Sequence, residues 1–410
     1  MKICMLSYHT SPLAVLGGKH SGGMNVYVRE LSTHLAALGH EVDVFTRGSR
    51  FEEQRFAPRA RLLSLPAGPA SEVEKNRLAD YIPEFAENLL AFAGEQDRRY
   101  DVIHAHYWMS GLVGAQLKAA WGVPMALMFH TLGLVKNRIT ALGERESDAR
   151  IRGERRALAA ADQVVAATPA EQAELQWLYE VRSAQIGVIP PGVDLQHFQP
   201  MDKAAARRRL SAAQDEALLL FVGRIEALKG IDTLIRAAHL LAAEGPACTY
   251  FRVWIVGGDV EEDLELMGSE MSRLRSLARE LGVQDQIEFL GSRSQEDLPS
   301  YYAAADVVVM PSYSESFGMV ALEAMACGRP VVASRVGGLA YLVHDGITGF
   351  HVREGHSMEL ASRLAELLNE PPLLARLGQA ARREAEDYSW QAMAQRIEEL
   401  YRRMRAEQSA

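Results

Sequence analysis

Short apolar runs alternate along the chain with stretches of helical period. Residues 2–7 (KICMLS) read as a first strand. Met24, Val28, Leu31, Leu35 and Leu38 then step by 4, 3, 4 and 3, one face of a helix, and Gly39 stops it. Further strands are predicted at 41–46, 61–66, 101–106, 124–130, 163–168 and 186–189, with helical segments between most of them. Residues 190–200 (PPGVDLQHFQP) hold three prolines and a glycine and read as a linker. A second alternating series follows, with strands at 218–223, 252–256, 287–290, 306–310 and 330–333, and helices including 231–243 and 317–326.

Strand–helix alternation with little hairpin chemistry predicts parallel sheets covered by helices on both faces. Two successive series predict two doubly wound α/β domains of Rossmann-like type, 1–192 and 193–387, facing an interdomain cleft. The tail 388–410 carries an Arg-rich amphipathic helix expected to pack back on the N-terminal domain. The 410-residue length suits two domains.

Composition narrows the chemistry. With 44 Lys and Arg against 53 Asp and Glu, the net charge of −9 argues against a nucleic-acid binder. Cys4, Cys248 and Cys327 make neither a CxxC pair nor a disulfide framework, as expected of a reducing cytoplasm. The N-terminus lacks a signal-peptide pattern and no apolar run reaches 18 residues, so a cytoplasmic location is expected.

In open parallel sheets, ligands bind beyond the carboxyl ends of strands, which selects the candidate residues before any motif. Gly22 and Gly23 precede a helix and can admit an anion to its positive end, although such a pair also serves simply as a turn. Arg224 and Lys229, in GRIEALKG after a strand, suit a diphosphate; the plainer reading is two solvated surface charges. Glu315 and Glu323 are eight apart across the start of a predicted helix, about 80° apart around it, and can face one ligand with sugar or ribose hydroxyls. The amides of Phe317 and Gly318 would be free at that helix start. The competing reading makes Glu315 a helix-dipole partner and Glu323 a surface residue. His130 ends an apolar strand, where a satisfied core histidine is the commoner role. No HExxH, clustered Cys/His, GxSxG or post-strand GxGxxG occurs, so metal, serine-hydrolase and dehydrogenase chemistry lack support.

GRIEALKG, the Glu-x7-Glu block in SYSESFGMVALEAMACGRPVVAS (312–334) and VGGLAYLVHDGITGF (336–350) together resemble the retaining glycosyltransferases of family 4, which have the GT-B fold. The resemblance runs from about residue 1 to 390. SGGMNVYV (21–28), HAHYWMSGLVG (104–114) and FHTLGLVKN (129–137) look like the members that glycosylate D-inositol 3-phosphate; sucrose-phosphate synthases are a more distant match. The resemblance implies a UDP-sugar donor, with GlcNAc or glucose as the sugar. Its diphosphate would lie on Arg224 and Lys229, its ribose on Glu323, and its sugar on Glu315 near the Phe317 and Gly318 amides. Gly23 would lie against the diphosphate, and His130 near the reacting carbon.

On the acceptor side it implies Asn25, Lys75, Tyr107, Thr131 and Arg150 around a phosphorylated alcohol, 1D-myo-inositol 3-phosphate in the first instance. Lys75 and Arg150 add cationic charge suited to a dianion, although each alone reads as a surface polar residue. No cofactor is required. Some relatives hold magnesium near a threonine, but Arg329 lies close to that position and a cation would repel the metal, so no metal site is expected.

Two rivals change the acceptor: another sugar phosphate such as fructose 6-phosphate, or a membrane lipid met through Arg152, Arg155 and Arg156, which read more plainly as a solvated helix face. A non-catalytic nucleotide-sugar regulator is the rival from another class. Membrane contact is not expected, and a homodimer is compatible with the sequence.

Overall fold

Strands buried on both faces are written as unbroken apolar runs, and most strands here obey that rule. The computed structural model describes residues 1–14, 22–71, 73–139, 145–243, 250–258 and 270–409. The chain divides into two units, one built from Met1–Ala14, Gly23–Gly192 and the C-terminal segment from Trp390, the other from Val193–Ser389.

The first unit holds β1 (Lys2–Leu6), β2 (Glu41–Gly48), β3 (Glu52–Ala57), β4 (Ala60–Pro66), β5 (Val102–His106), β6 (Met125–Met128), β7 (Gln163–Ala166) and β8 (Ile186–Val188). Their order is β3-β4-β2-β1-β5-β6-β7-β8, and every pairing is parallel except β3 with β4. The second unit holds β9 (Ala217–Val222), β10 (Phe251–Val256), β11 (Ile287–Gly291), β12 (Val307–Met310), β13 (Val331–Ser334) and β14 (Gly349–Val352). Its order is β11-β10-β9-β12-β13-β14, all parallel.

This is the doubly wound order, in which the winding reverses between β9 and β12 and, in the first sheet, between β1 and β5. Loops leaving neighbouring strands on either side of such a reversal run to opposite faces and leave a crevice at the carboxyl edge. Two strands were not expected from the sequence. β3 (EEQRFA) is largely exposed and lacks an apolar alternation; it is an edge strand held by backbone pairing to β4. β14 is a four-residue edge strand, too short to show a period.

The helix Trp390–Ser409 buries Met393, Ala394, Ile397, Leu400, Tyr401 and Met404. It is tied to the first unit at both ends and at the middle. Arg396 donates to the Val188 carbonyl (2.7 Å), Glu398 lies 2.8 Å from His40 Nε2, Tyr401 Oη lies 2.6 Å from His104 Nδ1, and Arg405 pairs with Asp101 (2.9 Å). Among the described residues no helix is long and apolar enough to cross a membrane.

Leu400 is 1% exposed on the inner face of this helix. Leu400→Ala should therefore destabilise the first unit by about 2–5 kcal/mol through lost burial and a cavity. Urea unfolding would show a lower midpoint; an unchanged midpoint would mean the helix contributes little to that core.

Candidate active site

In the second unit the chemistry-bearing side chains sit on loops that rest backbone on backbone. The Tyr313 N–H donates to the Leu228 carbonyl (2.8 Å), joining the loop after β12 to the loop after β9. The Gly338 N–H donates to the Glu315 carbonyl (2.9 Å), joining the start of the short helix Gly337–Leu342, after β13, to the loop after β12. Glycine permits both approaches. A Cβ on Gly230, which has φ +64°, would fall 2.0 Å from the Pro311 oxygen, and one on Gly338 would fall 2.2 Å from Phe317 Cα.

These contacts bring Lys229 and Glu315 together at the β9/β12 reversal. Lys229 Nζ donates to Glu315 Oε2 at 2.6 Å, and both side chains are half-buried. Arg224 pairs with Glu226 at 2.7 Å and is more exposed. Lys229 is therefore not a simple solvated charge, whereas Arg224 is exposed, as the plainer reading has it. Each is already matched to a carboxylate, and an entering anion would compete with or share that partner.

The structure corrects the expected helix start. The helix runs Met319–Ala326, with Gly318 as its N-cap in the left-handed region at φ +102°. Phe317 is buried, with its ring 6.1 Å from that of Tyr388, and the left-handed backbone at Gly318 interrupts the helical path, so the helix begins only after it. Glu315 consequently lies outside the first turn, where a helix dipole has little effect, and its partner is Lys229. Glu323 is not a surface residue: it is buried and accepts a hydrogen bond from the Tyr302 hydroxyl at 2.7 Å. Burial pushes its carboxyl up to about 7, opposed in part by the Tyr302 hydrogen bond.

In the first unit, two non-glycine residues at adjacent strand ends occupy the left-handed region: Tyr107 (φ +77°) after β5 and His130 (φ +62°) beyond β6. Such conformations cost energy and collect at functional sites. The Tyr107 ring is close to the His9 ring (centroids 4.4 Å) and to the Arg150 guanidinium, which lies over it (5.2 Å to the ring centroid). Arg150 is only 4% exposed. It donates to Glu154 (2.9 Å), to Glu146 (2.6 Å), and to both the carbonyl and hydroxyl of Thr131 (3.1 Å each). Tyr107, Thr131 and Arg150 are thus brought together.

The reading of Arg150 as a surface residue is corrected. Its charge is met by two carboxylates, and its geometry fixes Thr131 and Tyr107. Asn25 is buried near the start of the helix Gly23–Ala37, donating to Thr10 Oγ1 (2.8 Å) and the Ser11 carbonyl (2.6 Å). Gly23 opens that helix and is exposed, at the positive end of the helix. Lys75 opens the helical turn Lys75–Tyr81, but its side chain lies outside the described residues, as do Cys248 and residues 15–20 of the 8–20 loop.

Sequence reasoning missed Glu146, Glu154, Tyr302 and His106. The two glutamates carried a signal, since they stand four residues before and after Arg150, the spacing of helical ion pairs. His106 alternates with His104 on β5. Tyr302 carried none, because its partner is set only by packing between two helices. Burial drives His130 down to about 3 and His106 well below the usual imidazole range, so both rings are neutral at pH 7. Among the described residues no three His, Cys, Asp or Glu side chains form a metal-ligand set.

The raised Glu323 carboxyl has a stability consequence. Below about pH 4.5 it is protonated in both folded and unfolded chains; between there and about 7 only the unfolded chain ionises, so native stability falls as pH rises. Glu323→Gln escapes that loss. Its thermal midpoint relative to wild type should climb across that window and level off above it, whereas a flat difference would show the carboxylate to be held ionised.

Two family models match the chain: "Glycosyltransferase Family 4" over residues 21–197 and "Glycosyl transferases group 1" over residues 202–384. It is 43% identical over 408 residues to D-inositol 3-phosphate glycosyltransferase 2 of Catenulispora acidiphila, covering 98% of this chain and 95% of that one. It is 41% identical to the D-inositol 3-phosphate glycosyltransferase of Nocardiopsis dassonvillei, covering 98% and 94%. Among solved structures, a sucrose-phosphate synthase from Thermosynechococcus elongatus superposes with TM-score 0.90 at 34% identity, over 99% of both chains. Anabaena HepE, solved with UDP and glucose, has the same fold at TM-score 0.74 and 22% identity, over 98% of this chain and 99% of that one. With both halves matched and full-length relatives above 40% identity, the chain belongs to the family 4 glycosyltransferases, enzymes of the GT-B fold.

Proposed function

We propose that the protein moves a sugar, GlcNAc or glucose, from a UDP-sugar to 1D-myo-inositol 3-phosphate with retention of configuration. The observation that carries this reading is the full-length similarity, at 43% identity, to a D-inositol 3-phosphate glycosyltransferase. The geometry supports it with a cation–carboxylate edge in the second unit and a converged Tyr107–Thr131–Arg150 group in the first.

In this reading Arg224 and Lys229 take the donor diphosphate, helped by N–H groups at Gly23 and by the Phe317 and Gly318 amides. Glu323 accepts hydrogen bonds from the ribose hydroxyls, and Tyr302 orients it. Glu315 exchanges its contact with Lys229 for hydroxyls of the donor sugar. His130 contacts the sugar near the reacting carbon. Asn25, Tyr107 and Thr131 hold the acceptor, Arg150 fixes the last two, and Lys75 supplies charge to the acceptor phosphate.

The reaction is a same-face displacement. The acceptor oxygen attacks the anomeric carbon as its bond to the diphosphate breaks, and the departing diphosphate oxygen takes the acceptor's proton. The protein's contribution is then electrostatic, stabilising negative charge that grows on the diphosphate.

One observation favours a second acceptor: the 34% identity and close superposition with a sucrose-phosphate synthase point to a sugar phosphate such as fructose 6-phosphate. UDP-GlcNAc and UDP-glucose should each be incubated with 1D-myo-inositol 3-phosphate, myo-inositol and fructose 6-phosphate, and products weighed by mass spectrometry. A glycosylated inositol phosphate is expected. Product from fructose 6-phosphate alone would select the second reading, and no product from any pair would overturn both.

Lys229→Met keeps the side-chain length and removes the charge. It should lower kcat by about 10²–10³, the cost of losing one oxyanion-stabilising donor, with the acceptor KM little changed. A near-wild-type kcat would remove Lys229 from the diphosphate site.

A further inference from the structure

Two buried imidazoles have no part in the proposed chemistry, yet they are linked to one that does. His104 and His106 alternate on β5 and are fully buried, with ring centroids 4.3 Å apart. The His106 ring then meets the His130 ring (centroids 5.2 Å), and its two nitrogens have different neighbours. Nδ1 of His106 lies 3.0 Å from Nε2 of His130, while Nε2 of His106 lies 2.9 Å from the Met5 sulfur on β1.

The direction of these hydrogen bonds follows from elementary chemistry. A neutral imidazole carries one N–H and one lone pair. A thioether sulfur has no hydrogen to give and can only accept. The N–H of His106 therefore sits on Nε2 and points at Met5. Its Nδ1 is the lone-pair nitrogen, so the hydrogen shared with His130 belongs to His130 Nε2. The opposite direction would set a nitrogen lone pair against a sulfur lone pair.

We propose that His106 is a positioning residue that holds His130 as its Nε2–H tautomer, with the Met5 sulfur setting the polarity of the chain. His130 Nδ1 is then an acceptor. It takes a hydrogen bond from a donor-sugar hydroxyl and cannot act as a proton donor to the departing diphosphate. The left-handed backbone at His130 and the edge-on Tyr27 ring (centroids 5.1 Å) hold the same ring orientation. The functional half of this proposal rests on the reading of His130 as a donor-sugar contact; the tautomer itself does not.

The test is long-range proton–nitrogen NMR of the full chain labelled with ¹⁵N-histidine, with His130 assigned by its loss in His130→Ala. Wild type should show His130 as a single Nε2–H tautomer. His106→Leu, which removes the acceptor, should give mixed tautomers and a kcat lower by about tenfold, with a smaller change in the UDP-sugar KM. His106→Asn, whose side-chain oxygen falls near the Nδ1 position, should restore the single tautomer and recover most of kcat.

Met5→Leu conserves volume and should relax the tautomer of His106 and with it that of His130, which guards against a misfolded His106→Leu. A wild-type His130 protonated on Nδ1, or a tautomer indifferent to both His106→Leu and Met5→Leu, would overturn the proposal. Failure of the donor-sugar reading has a different signature: His130→Ala would keep its turnover while the tautomer still answered to His106.

Discussion

The seating of one backbone on another at the carboxyl edge of the second sheet is the constraint on which the rest depends. Parallel pairing brings every strand end to that edge, and the reversal between β9 and β12 separates two of the loops there. The chain then closes the arrangement with main-chain bonds from Tyr313 to Leu228 and from Gly338 to Glu315. Lys229 and Glu315 meet because the peptides beneath them are already locked. A Cβ at Gly230 or Gly338 would separate those peptides, so the glycines act on the charge pattern through geometry.

Burial then decides how charge is presented. Half-buried Lys229 and Glu315 neutralise each other at short range, which keeps a cation in place without leaving it unpartnered. Arg150 is treated similarly, set between Glu146 and Glu154 so that its remaining donors fix Thr131. Where no counter-charge exists, the group goes neutral. Glu323 leans on Tyr302 with a raised pKa, and His106 at the end of β5 and His130 beyond β6 lose their protons. Both units thus present paired charges together with groups that burial drives toward neutrality.

Much of this was legible in the sequence. The apolar runs of the parallel strands, the 4-3-4-3 face of the first helix and the GRIEALKG and Glu-x7-Glu blocks place most elements and the second unit's charged residues. Most of what escaped was set by tertiary contact. β3 exists because β4 offers it an edge, and its own polar residues say nothing of strand. The helix starts at Met319 rather than residue 317 because Gly318 takes a left-handed backbone conformation that a helix interior does not allow. Arg150 read as a cation for a ligand, yet its glutamate partners were visible at helical spacing on either side. Tyr302 is the clearest limit, since a hydroxyl matched to a carboxylate 21 residues away leaves no local trace.

The central claim is that the carboxyl edge of the second sheet grips the nucleotide end of the donor. Hydrogen exchange with and without saturating UDP addresses it directly. The account predicts slowed amides at 223–230, 311–318 and 337–338, with no change at 211–216 before β9 on the opposite edge. Unchanged exchange in those three loops, or protection confined to 211–216, would contradict it.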